Sequence, residues 1–252
     1  MFIRSRTLKL GAFISLVILS LGCFLIVKYL FGAVNPATKP IEQINTSQKV
    51  MALTINVDWG EECIPGILQE LDKGKVKATF FITGRWAKNH PDLVKIIAEA
   101  GHQLENHGYS HPHPDSLSVK ANKEEIKKTE DMIYNIIGRK TFCYAPPYGE
   151  KGMTGLKAAE ELGYATILWT LDTVDWRPGS TPEIIAKRIL DPERKTGIKP
   201  DKCGAIVLMH PKENTLKALP IILTQLAQEG YSLKTINELI TLENTGDTTT
   251  QR

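Results

Sequence analysis

Nucleotide-binding signatures are absent from this 252-residue chain: it contains neither G-x-G-x-x-G nor a Walker sequence. Cysteine is scarce. The four cysteines are Cys23, Cys63, Cys143 and Cys203, and no two stand in a C-x-x-C. Without redox or zinc-finger spacing, Cys63, Cys143 and Cys203 read as small buried apolar residues. An excess of one charge is lacking too. Lys and Arg number 31 against 28 Asp and Glu, a net charge of +3 with no basic stripe, which argues against a nucleic-acid partner. No repeat of fixed period appears, so a solenoid is not expected.

What is present is enough apolar sequence, 42%, to build a core. At the N-terminus Arg4, Arg6 and Lys9 precede an uncharged run from Leu10 to Val27, which continues past Lys28 through Tyr29 to Val34. A run this long can span a bilayer, and the preceding positive charges orient the N-terminus to the cytoplasm. Residues 1–34 are therefore expected to be a cytoplasmic stub and a transmembrane signal anchor in a single-pass cell-membrane protein. Two alternatives stand at this point: cleavage near Ala33, which would release the remainder, and lipid attachment at Cys23. Residues 35–48, with Pro36 and Pro40, read as a linker, and 243–252 as a flexible tail.

Between these lies one domain, 49–242. Strands are expected at 50–57, 76–83, 102–106, 141–144, 164–171, 204–209 and 231–233. Helices are expected at 64–73, 91–100, 118–137, 155–162, 182–190, 214–229 and 235–242. Strand and helix alternate with no long structureless loop. This predicts an α/β fold with about seven parallel strands, better suited to a closed or partly open barrel than to a doubly wound sheet.

The unusual polar residues all follow a predicted strand, where α/β folds build their sites. Asn56 and Asp58 end the first strand and lie on one side of it, two residues apart. His107 and His111, in Asn106-His107-Gly108-Tyr109-Ser110-His111-Pro112, are four apart in a loop, a spacing at which two imidazoles can bind one metal ion. Asp58 is the natural third ligand, or else a turn residue before Trp59-Gly60. A metal held by two histidines and one carboxylate keeps an open position for water or a carbonyl. His210 ends an apolar strand and reads as a general acid with Asp175 as its partner, Trp176 shielding the pair, or else as a core histidine. Tyr148 follows Pro146 and Pro147, which lack an N–H, so its own N–H is the first in that turn available to an oxyanion.

In order along the chain these segments resemble the polysaccharide deacetylases with the NodB homology domain, carbohydrate esterase family 4, over about 50–240. The stretch A-L-T-I-N-V-D-W-G is similar to the family's first motif, N-H-G-Y-S-H-P to the second, A-P-P-Y-G to the third, W-T-L-D-T-V-D-W to the fourth and V-L-M-H to the fifth. A-T-F-F-I-T-G is also typical, and the W-G after the first strand resembles the sporulation-associated deacetylase-like subgroup.

The resemblance implies a distorted (β/α) barrel, a divalent metal, most often zinc, and removal of acetyl groups from a glycan, here a peptidoglycan-like cell-wall polysaccharide. It carries metal ligation onto Asp58, His107 and His111, the oxyanion N–H onto Tyr148, and the general acid onto His210 held by Asp175. Trp176, Pro147 and Tyr148 are the expected glycan contacts. Two positions depart from the family. Asn56 stands where the catalytic-base Asp is usual, with Val57 as an extra residue before Asp58, and Ala145 stands where that base's Arg partner is usual. An amide cannot take a proton from water near neutral pH. Either the base half of the site is gone, or Asp58 is the base, or Glu61 or Glu62 replaces it. Three functions follow: a membrane-anchored metal-dependent deacetylase, a non-catalytic glycan-binding relative, or an amidase on another envelope substrate.

Overall fold

The computed structural model describes residues 39–193 and 200–245, with side chains as far as 242. The signal-anchor reading of 1–34 lies outside the described residues, as does most of the expected tail. Among the described residues no helix is long and apolar enough to cross a membrane.

The first strand, β1 (Val50–Val57), is buried along its whole length. Its alternate residues divide two environments. Met51, Leu53, Ile55 and Val57 join the main apolar core under the helices, whereas Ala52, Thr54 and Asn56 face the other side of the sheet. Asp58 continues the second series past the strand end. Around β1 stand β2 (Thr79–Ile82), β3 (Gln103–Asn106), β4 (Cys143–Tyr144), β5 (Ala165–Thr166), β6 (Leu171–Asp172), β7 (Ala205–Met209) and β8 (Ser232–Lys234). Their order is β5-β4-β3-β2-β1-β7-β6, and every named pair is parallel. The last strand, β8, pairs with Val50–Ala52 of β1, below the stretch from Thr54 to Val57 that pairs with β2. This is the expected distorted (β/α) barrel, open between β5 and β6.

The helices are α1 (Ile64–Lys73), α2 (Gly84–Asn89), α3 (Pro91–Glu99), α4 (Val119–Ile137), α5 (Met153–Glu161), α6 (Pro182–Leu190), α7 (Glu213–Gln228) and α8 (Ile236–Thr245). Local signals set their ends. Ser118 caps α4 through its hydroxyl to Ala121 N–H, and Gly138 ends it in the left-handed conformation. Thr181 caps α6, and Pro182 supplies a first turn that needs no N–H.

Three expectations are corrected. The single strand expected over 164–171 is two short strands at opposite edges of the sheet, β5 on β4 and β6 on β7. The chain crosses the barrel opening in the four residues between them. Second, α2 was not expected. Its six residues are started by Thr83, whose hydroxyl accepts from Trp86 N–H.

Third, the segment around Ile41–Ile44 is not a linker. Ile41 bridges to Ile167, with N–H and C=O bonded to Thr166 and Leu168, and Gln43 bridges to Ala205. The Ile44 N–H donates to Gly204 O at 2.9 Å, and the Ile44 side chain is fully buried. A Cβ on Gly204 would lie 1.9 Å from the Ile44 carbonyl oxygen, so glycine is needed where this segment enters. The segment closes the base of the opening.

Candidate active site

The carboxyl ends of β1, β3, β4, β6 and β7 surround a cavity of about 440 Å³. Asn56, Asp58, His107, His111, Tyr148, Trp176 and His210 line it, all expected from the sequence. Trp59, Gly149, Trp169, Asp172 and Leu208 complete the wall. Pro147 does not line the cavity. It is buried, its ring positioned against Gly108. Neither Glu61 nor Glu62 lines this cavity; Glu62 lines a neighbouring one with Trp59, Asp175 and Trp176.

His107 leaves β3 fully inside the protein. Its Nδ1 lies 2.7 Å from the carbonyl oxygen of Ala145. A carbonyl only accepts, so Nδ1 carries the proton and Nε2 keeps its lone pair. Burial, reinforced by repulsion from His111, pushes the His107 pKa down to about 3. Burial also lowers that of His111, against the attraction of Asp58. Both rings are thus neutral, and they meet edge to face with centroids 5.0 Å apart.

Their loop is held from two sides. Glu125 of α4 accepts from the N–H groups of Tyr109 at 2.9 Å and Ser110 at 2.7 Å. The N–H groups of Gly84 and Arg85 donate to the Gly108 and Tyr109 carbonyls, each at 3.0 Å.

Asp58 is committed differently from the expectation. Its Oδ1 accepts from the Thr83 hydroxyl at 2.8 Å and from Arg85 Nε at 2.7 Å, while Arg85 Nη2 donates to Oδ2. Burial raises its carboxyl pKa, but the bonds from Arg85 and Thr83 and the nearby positive charge hold it below the ordinary carboxylate value. Among the described residues no three His, Cys, Asp or Glu side chains gather closely enough to hold an ion as they stand. The Arg85 guanidinium takes both Asp58 oxygens. The donor types nonetheless suit a divalent ion: two neutral imidazoles, one with its tautomer fixed, beside an ionised carboxylate whose charge both rings feel.

Asn56 is 5% exposed, and its Oδ1 has no hydrogen-bond partner among the described residues. Ala145 is buried and carries nothing that could pair with a group at position 56. The departures read from the sequence therefore leave an unpaired acceptor on the cavity wall, a costly state for a buried polar atom.

Across the cavity stands His210, whose Nδ1 is 2.8 Å from Asp175 Oδ1. Asp175 Oδ2 accepts from the His210 N–H and the Thr215 hydroxyl, each at 2.7 Å. Burial raises the Asp175 carboxyl pKa, but the bonds from His210 and Thr215 outweigh it and leave it ionised and low. Trp59, not Trp176, stacks on the His210 ring, at 5.8 Å between centroids and 12° between planes.

Tyr148 sits at φ 60°, ψ 5°, a left-handed conformation unusual for a side chain of this size. His113 stacks on its ring at 3.8 Å and is itself held by Glu150, 2.6 Å from Nδ1. A Cβ on Gly149 would meet Trp169 at 2.4 Å, so only glycine lets that indole close the wall.

Sequence reasoning missed Arg85 and Trp169. Arg85 lies just past β2, so the rule that sites follow strands reaches it. Trp169 fell inside the strand expected over 164–171 and gave no separate signal.

The family model described as polysaccharide deacetylase matches residues 43–167. The peptidoglycan-N-acetylmuramic acid deacetylase PdaA of Bacillus subtilis (strain 168) is 30% identical over 198 residues, covering 78% of this chain and 73% of PdaA. The chain belongs to the polysaccharide deacetylase family. The chain is also 36% identical to the uncharacterized protein YlxY of Bacillus subtilis (strain 168) over 202 residues, covering 80% of this chain but only 60% of YlxY. Among solved structures of polysaccharide deacetylase relatives it is similar to BA3943 from Bacillus anthracis, described as a CE4 family pseudoenzyme. The TM-score is 0.73 and the identity 38%, covering 81% of this chain and 69% of that one. A BA3943 mutant described as having restored enzymatic activity matches with TM-score 0.73 and 36% identity, covering 81% and 72%.

Proposed function

We propose that this chain is a slow, metal-dependent hydrolase that removes N-acetyl groups from a cell-wall polysaccharide of the peptidoglycan type. The observation that carries the reading is the His210–Asp175 pair, set on the same cavity as His107 and His111. A protein that only bound glycan has no evident need of an oriented acid.

His107, His111 and Asp58 would hold the ion, most reasonably zinc given two imidazoles and one carboxylate. When bound it supplies Lewis acidity toward the acetyl carbonyl and toward water. The chain's own groups do the rest. The Asp175 carboxylate orients the His210 ring and stabilises its protonated form, so that Nε2 can deliver a proton to the departing sugar amine. The Tyr148 N–H is the proposed donor to the developing oxyanion. Trp176 and Trp169 supply apolar walls for the sugar. Without a carboxylate base at position 56, proton removal from water loses its usual acceptor, a deficit of roughly 10²–10⁴-fold rather than a complete block.

The unpaired Asn56 Oδ1, the bare Ala145 and the pseudoenzyme among the relatives favour a second reading, a glycan-binding protein without turnover. The deciding experiment measures acetate released by the full-length chain from peptidoglycan fragments and chitooligosaccharides with zinc, against chelated protein and His107→Ala. Metal-dependent acetate supports the enzyme. Glycan binding with no acetate on any substrate supports the second reading and sinks the first.

For location we propose a single-pass anchor at 1–34 with the domain outside the cytoplasm. Alkaline carbonate should leave the full chain in the membrane fraction; release into the supernatant would count against an anchor.

A further inference from the structure

The guanidinium of Arg85 and the carboxylate of Asp58 meet fork to fork, with Nε on Oδ1 and Nη2 on Oδ2, and Thr83 adds a third donor. Charge-assisted pairs of this two-point kind are the stronger ones, and their geometry is specific. Every donor on Asp58 would compete with an ion for the same lone pairs. A dication placed at those oxygens would also repel the guanidinium.

We propose that Arg85 is an internal competitor for the metal: it occupies Asp58 in the metal-free protein, and an ion gains this third ligand only as the guanidinium leaves. The inference rests on the metal reading of His107 and His111 given above.

Three observations support it. First, the backbone at 85 cannot move independently of the histidines. The Gly84 and Arg85 N–H groups are bonded to the Gly108 and Tyr109 carbonyls, inside the loop that carries both imidazoles. The guanidinium is therefore delivered to the site by the framework that holds the ligands, and only its side chain is free to swing. Second, the exposures are unequal. The Arg85 side chain is 49% exposed and that of Asp58 10%, so the cation has a way into water and the carboxylate does not. Third, the alternative acid on the cavity wall is otherwise engaged. Asp172 Oδ1 accepts from the Val174 N–H at 2.8 Å, which fixes it in its own turn. Asp58 is the carboxylate for which metal and guanidinium contend.

The consequence is an exchange of one cation for another. The free energy that binds Arg85 to Asp58 is subtracted from the affinity for the ion, and removing Arg85 returns it. The test measures zinc affinity of the full-length chain by competition with a chromophoric chelator. Wild type is compared with Arg85→Met, Arg85→Lys, Asp58→Asn, the Asp58→Asn/Arg85→Met double variant and His107→Ala. Arg85→Met should tighten zinc about tenfold, the scale of one such pair. Arg85→Lys keeps the charge without the two-point geometry and should tighten it less. In the Asp58→Asn background the Arg85→Met change should tighten zinc far less, by only what relief of the charge repulsion gives. Unchanged or weaker zinc binding by Arg85→Met, with His107→Ala still abolishing it, would overturn the competitor while leaving the metal site standing. An equal gain in the Asp58→Asn background would also overturn it. No zinc binding by any variant would overturn the metal reading itself, and the competitor with it.

Discussion

Asp175 grips His210 at two points, by its ring Nδ1 at 2.8 Å and by its own backbone N–H at 2.7 Å. The two bonds use different carboxylate oxygens, so the imidazole can neither flip nor slide along the strand end. Asp175→Asn keeps the shape but loses the charge that supports a protonated ring. We expect acetate release to fall roughly 10²- to 10³-fold, with little change in substrate binding. Steady-state kinetics on one glycan measure this; an equal loss in a variant at Thr215 alone would argue that packing, not charge, is at stake.

The vacancy at positions 56 and 145 yields a gain-of-function prediction. Asn56→Asp with Ala145→Arg should raise the turnover of wild type by roughly tenfold or more, the contribution of a positioned base. The single Asn56→Asp variant places an unpaired carboxylate in a buried spot and should gain less. If the folded double variant releases acetate no faster than wild type, Asn56 does not occupy the base position.

Much of this was legible in the sequence. The first strand, its side-to-side alternation and the caps of α4 follow from local pattern. The convergence of Asn56, Asp58, His107, His111 and His210 follows from the rule that sites stand at strand ends. The split of 164–171 does not. Its apolar residues suit one strand as well as two, and only closure of the barrel separates Ala165–Thr166 from Leu171–Asp172. Likewise Asp58 looks like a free ligand until Arg85 is placed beside it, a contact across 27 positions that no local pattern encodes.

Glu105 sets a pH dependence of stability. It is 1% exposed, and burial pushes its pKa up to about 7 despite bonds from Gln103 and the N–H groups of Cys143 and Phe142. A carboxyl raised in the folded state contributes stability that is complete below its unfolded value, about 4.5. That contribution is lost as pH rises through about 7. Chemical denaturation should show this loss, on the order of 3 kcal/mol, between pH 5 and 8. Glu105→Gln should flatten the curve over that range; an unchanged slope would assign it to other groups.

The segment at the base of the barrel should behave as core. Ile44→Ala removes a fully buried side chain and is expected to cost about 2–4 kcal/mol. A mere linker would tolerate it within about 0.5 kcal/mol. Denaturant midpoints of the full chain distinguish the two.

Ile41 has a further consequence. An open barrel leaves two strand borders, and unpaired borders invite neighbouring molecules to add strands to them. Here β5 and β6, at the two borders, are only two residues each, and Ile41 takes hydrogen bonds on both sides of Ile167. The barrel can thus stay open between β5 and β6 while offering little template for self-association.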